Sequence, residues 1–375
     1  MLAFLFSCRT LEPPPDTPEY KEPYEPIKTP AYSVTLLATG DNLFNAFILD
    51  DFRATQYDFT PVYSEISGLI QAADLAFINQ ETVMAGEQFG LSGYPRFNTP
   101  QTLAKVLART GFTVVNHANN HVLDMGEKGL LATLDAWDAI PEIYYLGVHR
   151  SKEKKQIIIT KNNISFGFLS YTYGTNGIPL PKDKPWLVSL ADRETMAVEI
   201  DALRPLCDFL IVSMHWGDEY AKEPSAAQKS LAEFLAQHQV DLIIGHHPHV
   251  LQRFDVLPRP GKKNTLCFYS LGNFVSNQER KETSLGGLLY AQFEKCGEEL
   301  SINDAGIIPV VTHYEKGFTK TKVIPLYAYT DELEKKHRNY SQTNGVNINY
   351  FNSLLQGINA TIIMHNPFEA LSHDR

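Results

Sequence analysis

Residues 241–249 read DLIIGHHPH. The run DLII has the length and apolar character of a short buried strand, and the glycine after it marks its end. Three of the next four residues are histidine. Working outward, the same arrangement recurs five times. Residues 32–39 (YSVTLLAT) give way to Gly40 and Asp41, and 74–78 (DLAFI) to Asn79, Gln80 and Glu81. Residues 112–115 (FTVV) lead into Asn116, His117, Ala118, Asn119, Asn120 and His121. Residues 208–214 (DFLIVSM) lead into His215, Trp216 and Gly217, and 266–271 (LCFYSL) into Gly272 and Asn273. In open α/β sheets ligands bind outside the carboxyl ends of the strands. Six predicted strand ends that deliver Asp, Glu, Asn or His therefore predict one convergent polar site.

Between these runs apolar residues return at helical spacing. Val62, Ile66, Leu69 and Ile70 form one stripe, Leu103, Val106 and Leu107 a second, and Leu130, Leu134 and Trp137 a third. Met196, Ile200 and Leu203 precede the strand at 208, and Leu231, Phe234 and Leu235 the strand at 241. Gly111 is placed to close the second helix and Ser225 to cap the last. Asn162-Asn163, between 156–160 and 164–170, signals a hairpin. Alternating strand and helix predicts an α/β fold with a largely parallel sheet covered by helices. The strand-and-turn segments from residue 266 onward are expected to build a second, more antiparallel sheet, giving a double-sheet α/β sandwich over 32–330. Residues 331–375 are expected to form peripheral helices or a tail.

The chain has 375 residues, 43 acidic against 33 basic side chains and a net charge of −10. With 43% hydrophobic residues it has the means to bury a large core and is not a disordered polyelectrolyte. A negative chain with no basic block is a poor fit to nucleic acid. Cys8, Cys207, Cys267 and Cys296 make no CxxC pair, which excludes a disulfide framework and a thiolate zinc knuckle. No apolar run reaches the ~20 residues of a membrane span. Residues 5–8 (LFSC) resemble a bacterial lipobox, and 11–30 carry seven prolines. Residues 1–31 are accordingly expected to be a truncated lipoprotein signal, lipid-anchored at Cys8, followed by a stiff tether. The alternative is a leading arm packed along the domain. The first expectation implies an extracytoplasmic, membrane-anchored protein, the second a cytoplasmic one.

Carboxylates, imidazoles and amide oxygens form the ligand set of borderline divalent ions such as Zn, Mn or Fe. Six strand ends that supply such groups exceed what one tetrahedral ion takes and suit a pair of divalent ions that clamp a phosphoryl group. Asn79 is expected to orient a ligand. His246 either orients a neighbour or binds metal. Trp216, Glu219 and Tyr220 line a cleft or pack, and Asn273 binds an anion or caps its loop. His117 is expected to be structural.

The motifs GD (40–41), NQE (79–81), ANNH (118–121) with LDMG (123–126), HWGDEY (215–220), GHHPHVLQ (245–252) and YSLGNF (269–274) stand in this order. Together they resemble the CapA family, the bacterial capsule-synthesis proteins of poly-γ-glutamate production. The resemblance implies the fold of calcineurin-like metallophosphoesterases and a dinuclear site. It makes Asp41 a ligand of the first ion, Glu81 the bridge, and Asn120 and His215 ligands of the second. His247 and His249 go one to each ion, His121 meets the phosphate or protonates the leaving group, and Asn119 sits beside it. Phosphoesterases open with DxH, whereas Asp41 is followed by Asn42 and Leu43. The implied function is action on phosphoryl or acyl-phosphate groups of a phosphorylated or polyanionic substrate. The alternative is a non-hydrolytic component that binds, assembles or exports polyglutamate with membrane subunits. A metal-dependent cytoplasmic phosphodiesterase ranks third.

Overall fold

A computed structural model of the chain describes residues 31–261 and 263–369. The expected signal, Cys8 and the tether lie outside the described residues. Strands β1 (Ala31–Asn42), β2 (Leu75–Gln80), β3 (Val114–Asn116) and β4 (Tyr144–Leu146) run parallel in one sheet. The next six are β5 (Ile157–Lys161), β6 (Ile164–Thr172), β7 (Phe209–His215), β8 (Leu242–His246), β9 (Phe254–Leu257) and β10 (Thr265–Phe268). They form a second sheet in the order β5-β6-β7-β8-β10-β9, with β6, β7, β8 and β10 parallel. The last four are β11 (Asn273–Val275), β12 (Leu285–Cys296), β13 (Glu299–Glu315) and β14 (Thr319–Pro325).

These late strands correct one expectation. They do not form the second sheet; β12, β13 and β14 extend the first, antiparallel, from the free edge of β1. A hairpin pattern specifies that neighbours pair, not which edge they join. The twelve-residue β1 is buried from Val34 onward and needed a partner on both sides.

Alternation along the strands sorts the core. Val34, Leu36 and Ala38 of β1 face Phe166, Phe168, Phe209 and Ile244 across the sheet interface. Leu37, Ala76, Ile78 and Val115 point the other way, onto the helices Thr102–Thr110 and Gly126–Asp138. On the far sheet Leu210, Val212 and Ile243 meet the helices Arg193–Leu203 and Ala226–Gln237. Local signals act as read. Gly111 ends its helix in the left-handed region at φ 112°, Ser225 closes a capping box with Gln228, and Asn162 and Asn163 take φ 45° and 58° in a two-residue hairpin turn. Beyond residue 330 the helix Ile348–Leu355 buries Phe351 and Leu355 against Val311 and Ile324. Among the described residues no helix is long and apolar enough to cross a membrane.

Candidate metal centre

Because both sheets are parallel where they matter, the carboxyl ends of β1, β2, β3, β6, β7 and β8 share one rim. Register then places the side chains. Asp41, Asn79 and Asn116 are cross-strand partners in the first sheet, and Thr172, His215 and His246 in the second. Two glycines make the close approach possible. A Cβ on Gly40 would sit 2.0 Å from the Gly272 carbonyl oxygen, whose acceptance of the Asp41 N–H at 2.9 Å fixes that carboxylate. A Cβ on Gly245 would meet the Tyr269 carbonyl oxygen at 1.9 Å. His247 and His249 lie at φ 99° and 60°, a strained backbone for residues with side chains.

Asp41 is fully buried and fully engaged. Its Oδ1 accepts from Asn79 at 2.7 Å, and its Oδ2 lies 3.0 Å from His249 Nδ1 and 3.3 Å from the His247 N–H. Asn79 in turn accepts from Asn116 at 2.8 Å, so a polar chain runs inward from the rim. Asn273 Oδ1 is also 3.0 Å from His249 Nδ1. Two oxygen partners fix a proton on Nδ1 and turn Nε2 towards Glu81, whose Oε1 is 3.8 Å away.

Glu81 behaves oppositely. It is fully buried, yet neither carboxylate oxygen has a hydrogen-bond donor. Burial pushes its pKa well above the usual carboxylate range. Ligand atoms of Glu81, His247 and His249 all lie within 4.8 Å of one another. His215 Nε2 stands 3.7 Å from Glu81 Oε1 and 2.8 Å from Asn120 Oδ1. Burial, reinforced by neighbouring imidazoles, depresses His247 to about 3 and His215 well below its ordinary value, so both rings are neutral at pH 7. Burial would also depress His249, but the Glu81 and Asp41 carboxylates raise it to about 9. A positive charge between these two acids is what the surroundings favour. The orphaned Glu81 oxygens and the unpartnered Nδ1 of His247, with His215 Nε2 beside them, therefore fit a divalent cation.

The other expected residues fall into place around this core. His121 Nδ1 lies 2.8 Å from Asp124 Oδ2, and its ring meets Phe97 edge-on at 4.6 Å. Asn119 braces the loop, giving its amide to the Gln80 carbonyl and accepting the His121 N–H. His246 stacks on Phe77, its Nδ1 3.5 Å from Asp41 Oδ1. Glu219 is exposed and adds negative potential at Glu81 and His249. Trp216 is not in the cleft: it packs in the core behind the second sheet and donates to the Tyr269 carbonyl at 2.9 Å. His117 accepts from the Trp137 indole at 2.7 Å, a structural role.

Three neighbours escaped the sequence reading. Tyr173, half exposed, lies over His215 and His247 with centroids 6.4 and 4.8 Å away. Asn176 accepts from the Asn120 amide at 3.1 Å. Both follow β6, whose carboxyl end obeys the same rule as the other six and was not read out. Asp124 sits inside the LDMG motif, three residues after His121, a spacing that brings side chains together on a turn.

Fold and site together define a two-sheet α/β protein with a carboxylate–imidazole pocket at a common strand rim. The sequence profile of the bacterial capsule synthesis protein family PGA_cap matches residues 35–278, and the chain belongs to that family. It is 34% identical over 202 residues to the PGA biosynthesis protein CapA of Bacillus subtilis (strain 168), covering 53% of this chain and 52% of that protein. It is 32% identical over 225 residues to the capsule biosynthesis protein CapA of Bacillus anthracis, covering 56% and 53%. The chain thus spans about half the length of these relatives. The calcineurin-like phosphoesterase YfkN of Bacillus subtilis overlays with a TM-score of 0.45 and 15% identity, covering 75% of this chain and 91% of that structure.

Proposed function

We propose that this CapA-type protein holds divalent metal at the rim and acts there on a phosphoryl or acyl-phosphate group during capsule polymer synthesis. The observation that carries this reading is Glu81, a buried carboxylate whose two oxygens lack donors while facing His249 Nε2 and His215 Nε2. Glu81, His247 and His249 would hold one ion, and Glu81 with His215 and the Asn120 carbonyl oxygen a second. Bound there, the metal supplies Lewis acidity and a lowered pKa for water. Asp41 and Asn273 orient His249, and Tyr173 roofs the imidazoles. His121, its Nδ1 tied to Asp124, offers Nε2 as the proton donor to the leaving oxygen. The test is release of an aryl alcohol from its phosphate ester with added Mn or Zn. Equal rates in wild type and Glu81→Gln, unaffected by a chelator, would overturn the reading.

A second reading is a non-hydrolytic part that binds or positions the polymer alongside membrane subunits. Its support is position 43, where the DxH imidazole is replaced by the buried Leu43, while Asp41 is occupied by His249 and Asn79. It predicts metal binding without turnover. Either reading is compatible with anchoring outside the membrane through Cys8, which incorporation of labelled fatty acid into wild type but not Cys8→Ser would test.

A further inference from the structure

The two sheets end unevenly. The first stops at the three-residue β4, while the second continues through the β5–β6 hairpin. Part of the hairpin's apolar inner face therefore has no strand above it, and a cavity of about 560 Å³ opens there. That volume lies within the ~300–1,000 Å³ typical of small-molecule sites. Its floor is apolar, with Ile143, Leu146, Ile157 and Phe168 buried around it.

The mouth is charged. It is crossed by the loop joining β4 to β5, where the chain's cations do gather: Arg150, Lys152, Lys154 and Lys155. Two of them are staples. Arg150 pairs with Asp135 and Asp138, each at 2.7 Å, and Lys154 with Glu199 at 2.5 Å. These bridges fasten the loop to the helices on either side. Of the loop's other charges Lys152 does not line the cavity, whereas Glu153 and Lys155 do: both are exposed, and neither has an ion-pair partner among the described residues. One free charge of each sign above an apolar floor complements a zwitterion better than a simple anion.

We propose that this cavity binds a small zwitterion with an apolar body, an apolar amino acid or short apolar peptide. Its ammonium meets Glu153, its carboxylate meets Lys155, and its side chains enter between the sheets. The site is separate from the metal centre, and its test does not depend on any activity there.

Calorimetric titration of the full chain with leucyl-leucine should show saturable one-to-one binding. N-acetyl-leucyl-leucinamide, the same body without either charge, should bind at least about fivefold more weakly, the scale of an exposed ion pair. Glu153→Lys and Lys155→Glu should each weaken leucyl-leucine by about fivefold at an unchanged melting temperature. Ala202→Trp, at an exposed helix position on the cavity wall, should abolish binding. If that variant melts early, the two charge reversals carry the test. The proposal fails if the capped peptide binds as tightly as the free one, if both reversals leave affinity unchanged, or if no saturable heat appears at millimolar peptide.

Discussion

The sandwich buries carboxylates at both ends of its parallel strands, and the two ends treat them differently. At the amino end Asp241 accepts from Arg259 at 2.6 Å, from Arg204 at 2.5 Å and from the Leu210 N–H at 2.7 Å. Arg204 has donors left over and gives them to the Cys207 and Asp208 carbonyls. Every charge there is answered. At the carboxyl end Glu81, more deeply buried, has no donor at all, and His246, His247 and His215 each keep a ring nitrogen without a partner. Native interiors satisfy nearly all buried polar groups. The satisfied end thus acts as a clamp, and the unsatisfied end is arranged for something other than stability.

Removing each key acid should separate the two ends. The largest effect expected is on function at the rim. Glu81→Gln should lower metal-stimulated ester hydrolysis by at least about a hundredfold, and His121→Ala by about 10²–10⁴-fold. In chelator, Glu81→Gln should melt no earlier than wild type, since neither Glu81 oxygen has a donor to lose and the amide removes a buried acid. Asp241→Asn should do the reverse. It strands Arg204 and Arg259 and should destabilise the fold by about 3–5 kcal/mol in urea unfolding, leaving metal content per folded chain unchanged. If Glu81→Gln unfolded as Asp241→Asn does, the contrast between the ends would be lost.

Much of this rim was legible because its determinants are local. A strand end and the polar residues beyond it are contiguous, so the stretches that hold Asp41, Glu81, Asn120, His215, His247 and His249 could be read locally, and the family resemblance singled out these six within them. What they touch was not legible. That Asp41 is spent on His249 and Asn79 depends on the register of β1 with β2 and on the backbone of His247 to His249, which are tertiary facts. Trp216 follows His215 in sequence but turns to the far face of the sheet, as the alternation of neighbouring side chains requires. The edge chosen by β12 to β14 was invisible for a similar reason: pairing partners distant in sequence leave no local signature.

A smaller effect is expected within the rim. Asn79 and Asn273 need not touch metal; they hold Asp41 and His249. Asn79→Ala and Asn273→Ala should each weaken divalent-metal affinity by about 10–100-fold, the usual cost of losing an orienting partner. Equilibrium dialysis against zinc would read this directly. Full affinity in both variants would mean that Asp41 and His249 are held in place without them.

The smallest effect concerns a third buried polar cluster, where β13 meets the residues that follow β14. His337 is satisfied only as a neutral ring. Its Nε2 lies 3.2 Å from the Thr312 carbonyl, to which it donates, and its Nδ1 accepts the Asn339 N–H at 3.0 Å. A second ring proton would set two donors against each other. Burial, the nearby His313 and the Thr312 bond together leave His337 at about 4. His313 is likewise depressed to about 4, by burial first, with Glu315 opposing and Lys320, Lys322 and Lys336 adding to the effect. Each folded pKa lies below the unfolded value of about 6.5, so the unfolded chain takes up protons first as the solution is acidified. The stabilisation from these neutral rings is complete above pH 6.5 and is lost as pH falls towards 4, at most about 1.4 kcal/mol per pH unit for each ring. His337→Gln offers an amide donor and acceptor in place of the ring. Urea midpoints between pH 6.5 and 4.5 should then fall less steeply in that variant than in wild type. An identical slope would place the acid sensitivity elsewhere and leave the cluster as plain packing.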